Sequence, residues 1–320
     1  MIMLGTTKTK WFIASGALGF DGRGYWFESL HRLLGLIDPT PFVVIAKTVT
    51  RPPMRGNLRW WKRFGGCVRL LDVGGNPLNE WHYLRSSARI AGTVNAVGLT
   101  NPGLDAWCRW YRVRWQTDSR FQLIPLVPSI LASSPWEAAE MAEQLTYLPR
   151  LAGVEVNLYC PNCLGGTNLI ENADLGIGIV KAVKATVGDL PVLVKLSPQQ
   201  DYLKIAGALR GQIAAISVNS VPWTMVFPNK PSPLRRTLGV DGGVSGRIAQ
   251  PILWPMVRKL VELDAAPVIG PSVWNYGDID TLFTCLGAAA VHFGAIFLRG
   301  LQGPCLPNRF VNQYDAPTAT

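Results

Sequence analysis

The chain has 320 residues, 48% of them apolar and 16% charged. That composition supports a sizeable core and excludes a disordered chain, and no apolar run approaches the roughly 20 uncharged residues of a membrane span. The net charge of +10 fits acidic partners, nucleic acid among them, or a field that favours an anionic substrate or a phosphate-bearing cofactor. The first ten residues contain lysines but no signal-peptide core or small-residue cleavage site, so a cytosolic protein is expected.

Apolar, β-rich runs recur at residues 42–46, 94–98, 123–129, 154–158, 192–196, 214–218, 267–270 and 289–294. Helical patterns cover 135–145, 175–187, 249–263 and 279–286 between them. Strands alternating with helices imply a parallel sheet. Eight of them at this length predict an α/β chain folded as a single closed (β/α)8 TIM barrel over residues 1–320, with no second domain. Two connections exceed bare turns. One leaves the first of these runs and carries an insertion at about 58–92, with Trp60, Trp61 and Trp81 among many arginines; the other spans 220–243. Loops of that length in a compact domain are usually lids or interfaces. The arginine- and tryptophan-rich stretch is also where a nucleic-acid or partner surface is a fair alternative.

The run at 154–158 ends in Asn157, Cys160 and Asn162, and Pro161 with Gly165 and Gly166 stops it. Barrel enzymes place their chemistry at the carboxyl ends of their strands. Amides there can hold a planar polar ligand and a thiol can move a proton. A structural cysteine between turn-forming asparagines fits the same residues. Lys47 and Lys195 each close an apolar strand, where burial is costly without an anion or acceptor. Either one alone also fits an edge lysine snorkelling to solvent; together they point to an electron-rich ligand in the barrel mouth. Asn95 and Asn219, with Ser220 following, add amides at further strand ends, where each also fits a turn-forming residue. Gly242-Gly243-Val244-Ser245-Gly246 reads as a flexible loop entering a helix, which lets backbone N–H groups approach an anion. The six cysteines are scattered, unlike a disulfide framework, and the lone Cys160-x-x-Cys163 lacks the second pair or histidine of a zinc site. No metal is expected.

As a set, these motifs resemble the dihydroorotate dehydrogenase family. They are Ala14-Ser15-Gly16, Ala46-Lys47-Thr48 with Arg55-Gly56-Asn57, Asn95-Ala96-Val97-Gly98-Leu99-Thr100-Asn101-Pro102-Gly103, Asn157-Leu158-Tyr159-Cys160-Pro161-Asn162, Val194-Lys195-Leu196-Ser197-Pro198, Val218-Asn219-Ser220 and the Gly242–Gly246 stretch. They occur in order over roughly residues 11 to 300. The resemblance implies an FMN-binding barrel in which a base takes the C5 proton of dihydroorotate while hydride passes from C6 to flavin N5. Cys160 resembles the base of the soluble class. By the same resemblance, Lys47, Asn95, Gly98, Leu99, Asn157, Asn162, Asn219 and Ser220 would hold the pyrimidine. Ala14, Ser15, Gly16, Lys47, Lys195, Gly242, Gly243, Ser272, Gly294 and Ala295 would hold the flavin.

The chain departs from the family where a glycine pair normally binds the FMN phosphate. It has Gly270-Pro271-Ser272-Val273-Trp274, and Val273 is poorly suited to positive φ. Ala295 lacks the hydroxyl often found after the eighth strand, and Tyr159 is larger than the usual neighbour of the base. Two other readings stay open. One is an enzyme similar to the tRNA-dihydrouridine synthases. The other is a barrel with weakened flavin binding that serves as a ligand-binding or interaction protein. Fumarate, or NAD through a separate flavoprotein subunit, are both open as electron acceptor, as is a homodimer; the chain has no cysteine cluster for its own iron–sulfur centre.

Overall fold

Strand residues alternate between two buried environments, and that alternation builds the barrel. The computed structural model describes residues 1–25, 29–59, 66–85, 87–159 and 169–316. Its parallel strands are β1 (Trp11–Ile13), β2 (Val43–Ile45), β3 (Leu126–Val127 and Ser129–Ile130, broken at Pro128), β4 (Val154–Asn157), β5 (Val192–Leu196), β6 (Ala215–Val218), β7 (Ile269–Gly270) and β8 (Ala290–Phe293). Each pairs with the next, a bridge from Ile216 to Val268 joins β6 to β7, and β8 pairs with β1 to close the ring.

Phe12, Val43, Val127, Leu193, Ala215, Ile269 and Ala290 share one core cluster inside the barrel. Their strand neighbours Ile13, Val44, Val154, Val156, Val192, Val194, Ile216 and Val291 belong to a second cluster beneath the helices. An antiparallel hairpin, Ile2–Leu4 with Thr7–Thr9, adds Ile2 and Leu4 to the inner cluster. The outer helices carry ordinary start signals. Pro135–Thr146 is capped by Ser134, and Ala173–Val187 by Asn172, each accepting from a backbone N–H of the first turn.

The barrel agrees with the sequence reading, but its strand membership differs at two places. Trp11–Ile13 is a barrel strand that so short an apolar run does not announce. The run at 42–46 is therefore the second barrel strand, and the long connection with its insertion follows the second strand rather than the first. The run at 94–98 is not in the barrel at all. Gly92–Asn95 lies antiparallel to both Val68–Leu71 and Gly243–Gly246, and Val221–Pro222 completes this four-stranded sheet. The stretch expected to be a flexible glycine loop is thus mostly strand. Its glycines permit close crossing: a Cβ on Gly92 would stand 2.4 Å from the Ser245 carbonyl oxygen, and one on Gly246 2.8 Å from Gly92 Cα. The two long connections pack on each other around Leu71, Val94, Ala96, Trp223, Leu234 and Val244. Trp60, Trp61 and the rest of 60–65 lie outside the described residues. Of the insertion's described part, Val68–Leu71 joins the sheet, and Glu80–Arg85 is a helix on which Trp81 is exposed, with Arg85 stacked on its ring at 4.9 Å.

Candidate active site

A cavity of about 300 Å³ opens over the carboxyl ends of the strands. Ala14, Ser15 and Gly16 reach it after β1, Lys47 after β2, Asn157 and Lys195 from the ends of β4 and β5, and Asn219 and Ser220 after β6. Ser272 follows β7, and Gly294 with Ala295 follows β8. The antiparallel sheet and the turn after it bring Asn95, Gly98 and Leu99 to the same cavity. Gly98 and Leu99 turn the chain there with successive positive φ of 65° and 56°. Gly242 and Gly243 do not line it. Gly243 pairs with Asn95 instead, and Ser245 and Gly246 take the lining positions. Cys160 and Asn162 lie outside the described residues.

Under the cavity the inward side chains change from apolar to polar. Glu155, Lys195, Ser217, Ser129 and His292 sit two residues along their strands from inward positions or between outward valines, so all five face inward. Glu155 is fully buried. Lys195 Nζ donates to its Oε1 at 2.8 Å, and Ser217 Oγ donates to its Oε2 at 2.7 Å. Burial alone would raise the Glu155 carboxyl. The charge of Lys195 and the hydrogen bonds from Lys195, Ser217 and Ser129 outweigh it and hold the group below its ordinary value. His292 is pushed down to about 4, first by burial, with Glu155 opposing and Lys195 assisting, so its imidazole is neutral at pH 7. Above this layer Thr48 is a hub: its Oγ1 meets Ser129 Oγ at 2.9 Å and accepts from Asn157 Nδ2 at 3.2 Å. Asn95 Nδ2 donates to the Gly243 carbonyl at 3.3 Å, and Asn219 Nδ2 donates to the Tyr159 carbonyl. Tyr159, which also lines the cavity, donates through its hydroxyl to Gln199 at 2.8 Å.

The loop after β7 solves its departure from a glycine pair in a particular way. Ser272, not Val273, takes the left-handed conformation, at φ 63°. Asp278 Oδ2 accepts from the amides of Trp274 (2.7 Å) and Asn275 (2.9 Å) and from Gln250 Nε2 (2.9 Å). Gln250 Nε2 also donates to the Ser272 carbonyl at 2.9 Å, and Arg299 donates to that of Trp274. Trp254 Nε1 donates to the Pro271 carbonyl at 3.2 Å, so the strained serine is held from both sides.

The sequence reading omitted Glu155, Ser217 and His292. Each is a lone polar residue between apolar strand neighbours, and strand parity would have placed Glu155 and His292 facing inward. Among the described residues, no cluster of three or more histidine, cysteine or acidic side chains is placed to hold a metal. No helix among them is long and apolar enough to cross a membrane.

A closed parallel barrel with lysines and amides gathered at its carboxyl ends defines a (β/α)8 barrel with a polar ligand site at the face where such barrels place their chemistry. The chain belongs to the dihydroorotate dehydrogenase family, whose model matches residues 75–296 and whose members are flavin-dependent oxidoreductases acting on CH–CH groups. It is similar to proteins named dihydroorotate dehydrogenase B (NAD(+)), catalytic subunit, from three organisms. That of Solidesulfovibrio magneticus is 32% identical over 232 residues, 70% of this chain and 72% of the relative. That of Geobacter metallireducens is 32% identical over 278 residues, 80% and 87% of the two chains. That of Desulforudis audaxviator is 32% identical over 294 residues, 90% and 83%.

Proposed function

We propose that this chain oxidises dihydroorotate to orotate with FMN as its flavin, and that the electrons pass to NAD through a partner subunit. The observation that carries this reading is the convergence of Lys47, Asn95, Asn157, Lys195 and Asn219 on one cavity from separate elements. Lys47 and Lys195 against Glu155 leave the charged residues of the described lining with one net positive charge, suited to an anionic pyrimidine. The asparagine amides offer both donors and acceptors to ring carbonyls and N–H groups.

The residues present fit a flavin. Ala14, Gly16, Gly294 and Ala295 line the cavity without bulk, and the backbones there are close: a Cβ on Gly294 would stand 3.2 Å from that of Ala14. Lys195 supplies a cation for the electron-rich end of the ring, and Ser272 with Gly294 and Ala295 would hold the phosphate. When bound, FMN supplies the acceptor, at its N5, for the hydride leaving substrate C6. Cys160, with Asn157 three residues before it and Asn162 two after, takes the proton from C5; its thiol needs only partial thiolate character to do so. Lys47, Asn95, Gly98, Leu99, Asn157, Asn162, Asn219 and Ser220 hold the substrate. The partner subunit is supported by the catalytic-subunit names of the three relatives.

The test is the visible spectrum of FMN-loaded protein mixed anaerobically with dihydroorotate. Bleaching is expected in the wild type. In Cys160→Ala it should slow by about 10²–10⁴-fold, the usual cost of losing a general base, with FMN still bound. Undiminished bleaching in the alanine variant would remove Cys160 from the mechanism, and protein that takes up no FMN would refute the cofactor. Dihydroorotate-driven NAD reduction that needs no second protein would overturn the partner.

A further inference from the structure

The buried carboxylate beneath the cavity has no part in the chemistry just described. Glu155 faces inward between Val154 and Val156, fully buried. An apolar side chain would fill such a position at less cost, because replacing a buried ion pair with well-packed apolar residues is often neutral or stabilising. A carboxylate kept there acts on something besides packing. Both of its oxygens are engaged, Oε1 by Lys195 and Oε2 by Ser217. Its neighbour on β8, His292, is uncharged at neutral pH and adds no second positive charge. Glu155, Lys195 and His292 all border the cavity. Lys195 therefore presents to a ligand not an isolated charge but one end of a 2.8 Å ion pair, and the field of a pair falls off faster than that of a single ion.

We propose that Glu155 is the counter-charge of Lys195, a positioning residue that fixes the ammonium and offsets the positive field it presents to the flavin, so that the bound flavin is held at a lower reduction potential than an unpaired lysine would set. This inference rests on the reading of Lys195 as a flavin-binding residue. The group that feels the effect is the reduced ring, whose negative charge lies at its pyrimidine end.

Sulfite probes that charge without turnover. Its sulfur lone pair forms a bond to oxidised flavin N5, no group leaves, and the ring gains a negative charge at the N1–C2 carbonyl end. Sulfite is titrated into the FMN-loaded wild type, Glu155→Gln and Glu155→Asp, following the loss of the flavin absorbance band. Glu155→Gln is expected to bind sulfite about tenfold more tightly, with a two-electron midpoint potential about 30 mV higher by the same factor. Glu155→Asp keeps the charge but withdraws it by a methylene, and a gain of about threefold is expected. Unchanged or weaker sulfite binding in a Glu155→Gln protein that holds FMN would overturn the proposal. Should that variant fail to retain FMN, Glu155→Asp decides, and no tightening there overturns it as well. Wild type that takes up no flavin would refute the cofactor reading and this inference with it, a result visible before any variant is made.

Discussion

Replacing Lys195 by methionine isolates the energetics of the polar layer. The substitution keeps an unbranched side chain of similar reach and removes the cation, leaving Glu155 buried with hydrogen bonds from Ser217 and Ser129 alone. Breaking a buried pair from one side typically costs about 3–5 kcal/mol, because the remaining charge is uncompensated. The pH dependence follows from the direction of the shift. In the wild type the Glu155 carboxyl lies below its ordinary value. The stability it contributes is therefore fully present above that ordinary value and is lost as pH falls through the lowered one. Without Lys195, burial is left largely unopposed and the folded value should rise. The folded protein then favours the protonated carboxyl, and stability should fall as pH rises above the ordinary value. A proton on His292 would neutralise the site in the same direction. Urea midpoints at pH 5 and pH 8 for wild type, Lys195→Met, Glu155→Gln and the double variant make the assay. The deficit of Lys195→Met should be largest at pH 8 and shrink at pH 5, and the double variant should recover much of it. A deficit equal at both pH values, with a double variant no better than Lys195→Met, would refute the argument that Glu155 is a buried charge.

Three further outcomes are expected. FMN should bind better than riboflavin by less than about 10³-fold, some 4 kcal/mol. The reason is that Pro271 has no N–H to give and the amides of Trp274 and Asn275 are already taken by Asp278; fluorescence-quenching titrations with the two flavins measure it, and a larger preference would show a phosphate site of another geometry. Cys163→Ala should leave dihydroorotate-driven flavin reduction nearly intact, whereas losses equal to those of Cys160→Ala would point to a dithiol role. Trimming residues 60–89 to a short glycine-rich link removes Val68–Leu71, the strand beside Asn95, and should raise the KM for dihydroorotate and alter acceptor turnover; unchanged kinetics, oligomeric state and salt dependence would show that the segment is padding.

Much of the barrel is legible in the sequence because a buried parallel strand is an apolar run, and seven of the eight strands announce themselves that way. Trp11–Ile13 does not, since three residues after a Thr-Lys repeat carry too little pattern; its strand character comes from β8 and β2 on either side. The run at 94–98 misleads for the opposite reason. Its residues suit a strand, but pairing direction is not written in a strand's own sequence; Gly92–Asn95 runs antiparallel to both of its neighbours, in a crossing that Gly92 and Gly246 leave room for. The lysines and amides of the cavity stand out as polar ends of apolar runs. Glu155, Ser217 and His292 are hidden inside such runs, where one polar residue looks like noise until strand parity is applied.

Parity also explains why the cavity lies where it does. Along β5, Leu193 faces the apolar floor of the barrel and Lys195, two residues on, faces the cavity; β6 repeats the step with Ala215 and Ser217, and β8 with Ala290 and His292. On these three strands a two-residue advance converts a dry core into a polar layer without any change of backbone. The two long connections then supply what the strands cannot. Packed on each other around Trp223 and Leu234, they carry Thr93, Asn95 and Ser245 to the cavity on a sheet whose register is locked by glycines too close to accept a side chain. Charge thus comes from the barrel and amide recognition partly from the added sheet. Substitutions in the first should alter flavin electronics and those in the second substrate affinity, a separation that KM and midpoint potential measured on the same set of variants would expose.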